Sequence, residues 1–468
     1  MSKFFWSSLI RWLLQCVLVV ATIVVLQPVC LAENLKPNGS SVSHSTDTVL
    51  DDADCSLREE SWSDSLQKLW ESICTQGPST ARFDESIMDD VPGDFIVTIL
   101  SKPKYNRHIK ATGLTLKNMR VTGQVLIPSG KIPGNLSFSH LKFEGPVTLD
   151  KVTVEGSISF TDSSFQNINL GGARIKGFLS LKGSDALQLN GIELKVDRSL
   201  LITNQSDTNE TGKNQTSQNE TDQNKKKENI TFKTIWLDDL KTQNLTITNV
   251  DADILHASGA KVDGTLELTG SNLNDVVFSE STIDDVLFGR NYIKGSIDLS
   301  YAHVNHTLEL TETTFHEIFA PGLKVDDSLK FRVSDRQAYM PVEETLSPCP
   351  AVEPVNEYLR KMQLWNATTG SKRGPEPEPP VQMDLRDARI HIIETPPYVS
   401  MWPPVLYMHG MNFDALRLDY RRTARKGIPD SLDRAWYSCW LQSISAPRFD
   451  EQPYKLLTTY LLIRGRLR

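Results

Sequence analysis

Short stretches in which apolar and polar side chains alternate recur along most of this chain. The segment YIKGSIDLSYAHVNHTLEL (292–310) contains the pattern I-x-G-x-I-x-L followed by V-x-x-x-L-x-L. Successive copies start 10 or 11 residues apart within each run, except that the first two, at Val121 and Phe143, start 22 residues apart. Other copies start at Val121, Phe143, Val154, Phe165, Ile175, Val262, Leu273, Ile283, Phe315 and Val325. A period of two indicates a β-strand with one buried face, and the glycine or polar pair before each strand indicates a corner.

A repeat this short predicts a solenoid, in which each coil buries its apolar side chains only against the neighbouring coils. Two copies make one coil of about 21 residues, and neighbouring coils pair strand to strand at ~4.8 Å. We therefore predict an all-β solenoid, a right-handed four-sided parallel β-helix of on the order of 11 coils, with helical N- and C-terminal segments. An antiparallel barrel or sandwich is the alternative, but its hairpins need turns such as Asn-Gly at strand ends. The corners here do not follow that pattern.

Two interruptions of the pattern divide the chain into segments. Residues 204–229 carry no apolar side chain, so they are predicted to be disordered. Residues 333–380 end in GPEPEPP, which is typical of a stiff extended linker. The predicted segments are a signal peptide (1–32), an N-terminal segment with an amphipathic helix (33–112), β-helix coils (113–203), the Asn/Thr-rich insertion (204–229), further coils (230–332), the Pro-rich insertion (333–380), the final coils (381–420) and a helical C-terminal segment (421–468).

The first 32 residues predict export. An apolar run from Trp12 to Leu26 follows Lys3 and Arg11, and small residues precede a cleavage point after Ala32. This is the pattern of a secretory signal peptide. An uncleaved membrane anchor is the alternative, although the run is shorter than the ~20 apolar residues that span a bilayer. We therefore expect an exported protein, periplasmic or extracellular. If the N-terminal segment is not cleaved, it would anchor the exported protein to the membrane.

The charge of the chain narrows the range of partners. Its formal net charge is -8, and without the signal peptide 48 basic residues face 58 acidic ones. An acidic, exported chain is not expected to bind nucleic acid. Residues 417–468 are instead basic, with 11 Lys/Arg against 5 Asp/Glu. This end of the chain is either a solvated helical face or a peripheral contact with anionic lipid.

Four cysteines follow the signal peptide: Cys55, Cys74, Cys349 and Cys439. In an oxidising compartment they can form two disulfides in three pairings, and the sequence does not choose among them. Cys55 and Cys74 flank an amphipathic helix pattern whose ends would lie roughly 18 Å or more apart. Pairing them requires the chain before the helix to fold back along it. Five Asn-x-Ser/Thr sequons in or beside the first insertion would carry glycans in a eukaryotic host: Asn204, Asn209, Asn214, Asn219 and Asn229.

Two C-terminal stretches, together with the coils, resemble a known family. WPPVLYMHGMNFDAL (402–416) is similar to the WP-x-x-L-x-L-x-G-F-x-Y-D-x-L segment of bacterial pentapeptide-like β-helix repeat proteins, and APRFDEQPYKLLTTYLLIRG (446–465) to their helical Y-x-P-Q-P-Y-x-x-L-A-x-x-x-R-x-x-G segment. The resemblance covers roughly residues 60–468 without the two insertions. The resemblance implies a β-helix. Members of the family are often labelled membrane-associated oxidoreductases, and the resemblance also implies a membrane-linked C-terminus. Relatives continue past the final glycine, whereas this sequence ends three residues after Gly465, which implies a truncated or divergent member.

No set of residues identifies a catalytic chemistry. The chain has no GxGxxG after a strand, no CxxCH and no CxxC pair. The oxidoreductase label therefore has no cofactor motif or redox pair behind it, and we predict no catalytic, cofactor-binding or metal-binding residues. His303, His306 and His316 lie close in sequence, which leaves a metal site open, but ordinary solvated histidines are the simpler interpretation.

The acidic pairs Asp284-Asp285 and Asp326-Asp327 occupy equivalent corners. Some β-helix enzymes cleave acidic polysaccharides with Ca²⁺ held by carboxylates beside a basic residue. Here the pairs replace the glycine of other copies, so they are interpreted as corner variants.

Together, these observations favour a non-catalytic extracytoplasmic β-helix scaffold or protein-interaction module. Its partner would be a protein or a cell-envelope component, and no cofactor is expected. The alternative is an envelope polysaccharide-binding or polysaccharide-cleaving β-helix. DNA mimicry is a third hypothesis, which export disfavours because the target would lie in the cytosol.

Overall fold

A computed structural model describes residues 55–76, 89–109, 113–204, 229–332, 361, 381–395, 403 and 405–418. These residues all belong to one compact unit, Asp52–Arg468. The predicted signal peptide and the predicted C-terminal helical segment lie outside the described residues, as do most of the two insertions.

The described helices all precede the first coil, apart from the single helical residue 361. They are α1 (Asp64–Gln76), α2 (Gly93–Ser101), α3 (Pro103–Asn106) and a 3₁₀ helix (Arg107–Ile109). The strands before the first insertion are β1 (Asp89–Pro92), β2 (Leu114–Lys117), β3 (Met119–Thr122), β4 (Val125–Leu126), β5 (Gly130–Ile132), β6 (Leu136–Ser139), β7 (Lys142–Phe143), β8 (Val147–Thr148), β9 (Val152–Val154), β10 (Ile158–Thr161), β11 (Ser164–Asn169), β12 (Arg174–Ile175), β13 (Leu179–Lys182), β14 (Asp185–Asn190) and β15 (Lys195–Thr203). Those between the insertions are β16 (Ile230–Trp236), β17 (Lys241–Thr248), β18 (Val250–His256), β19 (Lys261–Thr269), β20 (Asn272–Val277), β21 (Thr282–Gly289), β22 (Tyr292–Ile293), β23 (Ser296–Asp298), β24 (His303–Val304), β25 (Thr307–Thr311), β26 (Glu317–Phe319) and β27 (Lys324–Arg332). Those after the second insertion are β28 (Gln382–Asp384), β29 (Arg389–Thr395), β30 (Val405–Tyr407) and β31 (Asn412–Leu418).

The strands form two sheets, of 15 and 16 strands, in which strand neighbours come from successive coils. Every pairing between the described strands is parallel, as between β17 and β19 or between β19 and β21. The chain makes about 11 turns. The prediction of a parallel β-solenoid is confirmed, and the antiparallel barrel or sandwich is wrong because it would need hairpin pairings.

A complete coil gives each sheet either two short strands or one longer strand with a break in its register, as in β19. In the coil that begins at Tyr292, β22 and β23 pair with β20 in the first sheet, whereas β24 and β25 pair with β21 in the second. Each coil therefore has four short sides, separated by corners where the side-chain alternation is interrupted.

The core consists of columns of apolar side chains, one from each coil, because the parallel register places equivalent residues above one another. One such column in the second sheet is fully buried along its length. It contains Leu114, Leu136, Ile158, Leu179, Leu200, Leu245, Leu266, Val286, Leu308, Leu329, Ile393 and Leu416. Each coil hides its apolar face only against its two neighbours, which is the physical reason for the repeat.

Two further columns at the corners adopt left-handed backbone conformations. The first contains Asn118, His140, Asp162, Gly183, Asn249, Gly270, Arg290 and Glu312. The second contains Lys151, Gly172, Glu193, Asp239, Gly259, Glu280, Tyr301, Gly322, Asp387 and Gly410. Most of these residues are not glycine, although Asn and Asp, which tolerate this region best, recur.

The glycine of the repeated pattern serves a different corner, where neighbouring coils approach most closely. A Cβ on Gly145 would lie 2.3 Å from the carbonyl oxygen of Gly123 in the preceding coil. At the equivalent corner of the second sheet, the Asn135 Oδ1 accepts a hydrogen bond from the Ser157 backbone N–H at 2.8 Å. Close approach to the preceding coil therefore leaves no room for a Cβ at Gly145.

We expect Gly145→Ala to lower the free energy of unfolding by about 1–3 kcal/mol, the usual cost of forcing atoms into a packed site. The new Cβ would meet backbone atoms of Gly123 and Gln124 that cannot rotate away. Gly289→Ala is the matched control, since its Cβ would meet only the Thr269 Cγ2, at 3.2 Å. Urea unfolding of both variants checks the prediction, and equal midpoints for the two would contradict it.

An aromatic cluster packs the N-terminal helices together before the first coils. The Trp62 ring lies 4.9 Å from Phe95 and 5.0 Å from Tyr105, and Trp70 meets Tyr105 edge-on at 4.8 Å. β1 then joins this segment to the first sheet by parallel pairing with β3. The N-terminal segment therefore covers an end of the stack whose strand edge would otherwise be unpaired.

Candidate functional site

The outward face of the second sheet carries a continuous row of cationic side chains. Arg174, Lys195, Lys241 and Lys261 occupy the same register position in four successive coils. All four are exposed, and adjacent members are separated by the coil spacing of ~4.8 Å along the stack. We call these four residues the basic row.

The centre of the basic row places like charges directly above one another. Lys195 and Lys241 are register partners, and neither makes an ion pair among the described residues. Like charges directly opposite each other in a sheet are destabilising. The same register position holds Thr153 on one side of the row and Thr282 on the other, so the fold does not require lysine there.

The carboxylates near the basic row neutralise only its ends. Arg174 Nη2 lies 3.1 Å from Asp197 Oδ2, and Lys261 Nζ lies 2.9 Å from Asp263 Oδ1. Two more exposed cations, Lys176 and Arg198, lie beside the row. Lys176 pairs with Glu155 of the preceding coil, so Lys195, Lys241 and Arg198 are left without a carboxylate partner among the described residues.

Glu155 belongs to the coil before the basic row and binds two lysines. Its carboxylate oxygens lie 2.6 Å from Lys176 Nζ and 3.0 Å from Lys131 Nζ. The hydrogen bonds from Lys176 and then Lys131 lower the pKa of the Glu155 carboxyl below its usual value. This carboxylate stays ionised at neutral pH and marks the end of the excess positive charge.

An exposed aromatic ring lies next to these cations. Phe178 is 43% exposed and follows the close-approach corner at Gly177. In the next coil, the Arg198 backbone N–H donates to the Gly177 carbonyl oxygen at 3.2 Å. The corner therefore presents a guanidinium group and an aromatic ring in neighbouring coils, beside Lys176.

The part of the coil stack that includes Arg174 matches a known repeat. Residues 138–185 match a family model described as pentapeptide repeats, with nine copies. This chain is a pentapeptide-like β-helix repeat protein. Searches of curated proteins and of solved structures find no significant match.

In this pentapeptide-like protein, His303 and Asp326 lie together on the same sheet face as the basic row. His303 Nε2 lies 2.8 Å from Asp326 Oδ2, and Lys324 Nζ lies 2.9 Å from Asp326 Oδ1. The hydrogen bond from Lys324, and a smaller one from His303, lower the pKa of the Asp326 carboxyl. The Asp326 carboxylate, which a calcium ion or a catalytic step would need, is therefore already held in ion pairs.

The remaining sequence candidates serve the corners. Asp284 Oδ1 accepts a hydrogen bond from Asn305 Nδ2 at 2.7 Å, and Asp285 Oδ1 accepts one from the Thr307 backbone N–H at 3.1 Å. The Asp327 backbone N–H donates to the His306 carbonyl oxygen at 3.1 Å. These contacts support the interpretation of the acidic pairs as corner variants.

The three histidines of the repeat protein are not brought together. His303 lies in the second sheet. His306 lies at the following corner, 3.4 Å from Asp285. His316 precedes β26 of the first sheet. Their positions do not bring the three imidazoles to one common site.

Cys55 and Cys74 form a disulfide with a Cα–Cα distance of 5.7 Å. The chain before α1 doubles back through a turn at 60–61, so the two ends of this segment meet. Among the described residues, the sulfurs and a ring nitrogen of His108 form the one group of three metal-ligand atoms within 4.8 Å of one another. Since the sulfurs are bonded to each other, they are not thiolates and do not ligate as such.

Several other predicted positions fall at or beyond the edge of the described residues. Cys349, Cys439, Asn209, Asn214 and Asn219 lie outside them. Two further sequon residues, Asn204 and Asn229, lie at the borders of the first insertion, and the Asn229 Nδ2 donates to Asp251 Oδ1 at 2.7 Å. Within the described ranges, no helix has the length and apolar character that crossing a bilayer requires.

The basic row was not predicted from the sequence. The signal lies in the residue directly before the first inward position of each coil: Arg174 before Ile175, Lys195 before Val196, Lys241 before Thr242 and Lys261 before Val262. Aligning the coils across the first insertion shows this signal, but the predicted copies do not include those at Val196 and Thr242.

Proposed function

We propose that this protein is a non-catalytic extracytoplasmic β-helix scaffold that presents rows of outward side chains to a protein or cell-envelope partner. The observation that carries the proposal is the basic row, in which the coil stack holds four cations in fixed register. A rigid sheet face fixes spacing better than a loop does, so one partner can be bound at many regularly spaced points.

The location outside the cytoplasm has two supports. The first 32 residues have the pattern of a signal peptide. The Cys55–Cys74 disulfide is the kind of bond that persists in oxidising compartments. Attachment to a membrane through the N-terminus or the basic C-terminus remains part of the same proposal.

Cross-linking in intact cells that produce the protein tests both parts. A membrane-impermeant amine cross-linker is applied, the full chain is captured, and attached molecules are identified by mass spectrometry. We expect a reproducible adduct that Lys195→Glu/Lys241→Glu removes. The matched control is Lys233→Glu/Lys294→Glu, two exposed lysines of the first sheet, which should retain the adduct. Labelling only after lysis would overturn the location, and an adduct equally strong in both variants would overturn the role of the row.

A further inference from the structure

We infer that the basic row binds an extended acidic polysaccharide that carries carboxylate groups along its chain. This inference rests on the proposed function, since such a polymer is met outside the cytoplasm. It adds the chemical class of the partner to the proposed scaffold role.

The first argument is the electrostatic repulsion within the basic row. Lys195 and Lys241 stack directly and have no carboxylate partner among the described residues. The fold accepts threonine at the same position, as at Thr153 and Thr282. The fold does not need this repulsive pair of lysines. A bound anion would explain the pair, because its negative charge removes the repulsion.

The second argument is the spacing of the charges. Four cations follow one another at ~4.8 Å along the stack. This step is shorter than the Debye length of about 8 Å at physiological salt, so the four cations act as one line of positive charge. A line of charge fits a linear polyanion better than a single small anion, and the neighbouring aromatic ring favours one kind of polyanion over another.

The third argument is the ring beside the cations. Phe178 is 43% exposed and lies at a corner next to Lys176 and one coil from Arg198. The apolar face of a sugar ring packs on an aromatic ring, while its carboxylate reaches the neighbouring cations. A carboxylate polymer without rings would gain only the electrostatic part of this contact.

Purified full-length protein and polygalacturonate oligomers of defined length provide the test, with titration calorimetry over a range of salt concentrations. Lys195→Thr/Lys241→Thr introduces the residue that the same column already holds at two positions. We expect it to weaken binding about tenfold or more at low salt and to lower the slope of log affinity against log salt by about two. Because it also removes repulsion, its unfolding midpoint should be unchanged or higher. Lys233→Thr/Lys294→Thr is the control and should bind as the unmodified protein does.

The variant Phe178→Ala distinguishes specific binding of a glycan from electrostatic binding of any polyanion. We expect it to weaken polygalacturonate binding about fivefold, the loss of one aromatic contact at an interface, and to leave binding of poly-L-glutamate unchanged. Equal or tighter binding of poly-L-glutamate or of duplex DNA by the unmodified protein would overturn the inference in favour of those partners. Absence of polygalacturonate binding, or binding that Lys195→Thr/Lys241→Thr does not affect, would also overturn it. Since the cross-linking test does not depend on this polymer, a row-dependent protein adduct there would leave the scaffold proposal standing.

Discussion

Replacing Phe160 with alanine is expected to lower the free energy of unfolding by about 3–5 kcal/mol, the usual range for truncating a buried Phe. Phe160 is fully buried. Its ring stacks on Phe138 of the preceding coil at 5.2 Å and meets Phe165 edge-on at 4.9 Å. The truncation therefore removes contacts both within its coil and with a neighbouring coil, and rigid strands on both sides prevent the cavity from collapsing.

Urea unfolding followed by circular dichroism measures this effect. Ser159→Ala, at the adjacent outward position, is the matched control and should change the free energy of unfolding by no more than about 0.5 kcal/mol. Phe160→Leu should lose less than Phe160→Ala, because it fills most of the cavity. A loss below about 1 kcal/mol for Phe160→Ala would mean that the ring is not enclosed between coils as described.

Removing the disulfide by Cys55→Ser/Cys74→Ser should destabilise the N-terminal segment by about 2–4 kcal/mol, as expected for a loop of this length. The bond joins residues 19 positions apart and holds the chain before α1 against the end of that helix. Repeat folds are stabilised by neighbour contacts, so we expect the loss to remain local and to spare coils such as that of β19.

Hydrogen exchange, which reports local opening, distinguishes a local from a global effect. Amides of α1 and α2 should exchange faster in the double variant, whereas those of β17 and β19 should keep their protection. Adding a thiol reductant to the unmodified protein should reproduce the result. Unchanged protection of α1 would show that the aromatic cluster around Trp70 suffices to hold the segment. Faster exchange throughout the stack would contradict the local character of the effect.

The coil architecture could be predicted because inward positions obey one simple rule, namely apolar side chains at a period of two within a fixed repeat. Where that rule is relaxed, the prediction failed. Thr242 fills an inward position, and its hydroxyl donates to the carbonyl oxygens of Arg198 and Asn244 at 2.9 and 3.0 Å. Such a residue satisfies its polarity against its own coil and the preceding one, so the position is buried without being apolar and the repeat around it is harder to identify.

The candidate site depended on register between coils, which sequence spacing gives only when each copy is identified. Lys195 and Lys241 are direct neighbours although 46 residues separate them, because the first insertion lies between them. The pairing of Cys55 with Cys74 was also left open, since it depends on a chain reversal before α1 that no residue pattern specifies. By contrast, the corner role of Asp285 followed from its equivalence to glycines in other copies, and its hydrogen bond to Thr307 agrees with that interpretation.

The two insertions leave the register of the stack unchanged, and this has a consequence for how such a protein can change. Contacts between coils usually join residues 21 positions apart, as between Asn274 and Asp253. Across the first insertion, Thr231 meets Asp185 at a separation of 46, and across the second, Gln382 meets Glu317 at a separation of 65. On the far side of each insertion, pairing resumes in the register that an uninterrupted repeat would give. Insertions at these two points can therefore be acquired, lost or exchanged during evolution without any compensating mutation in the coils.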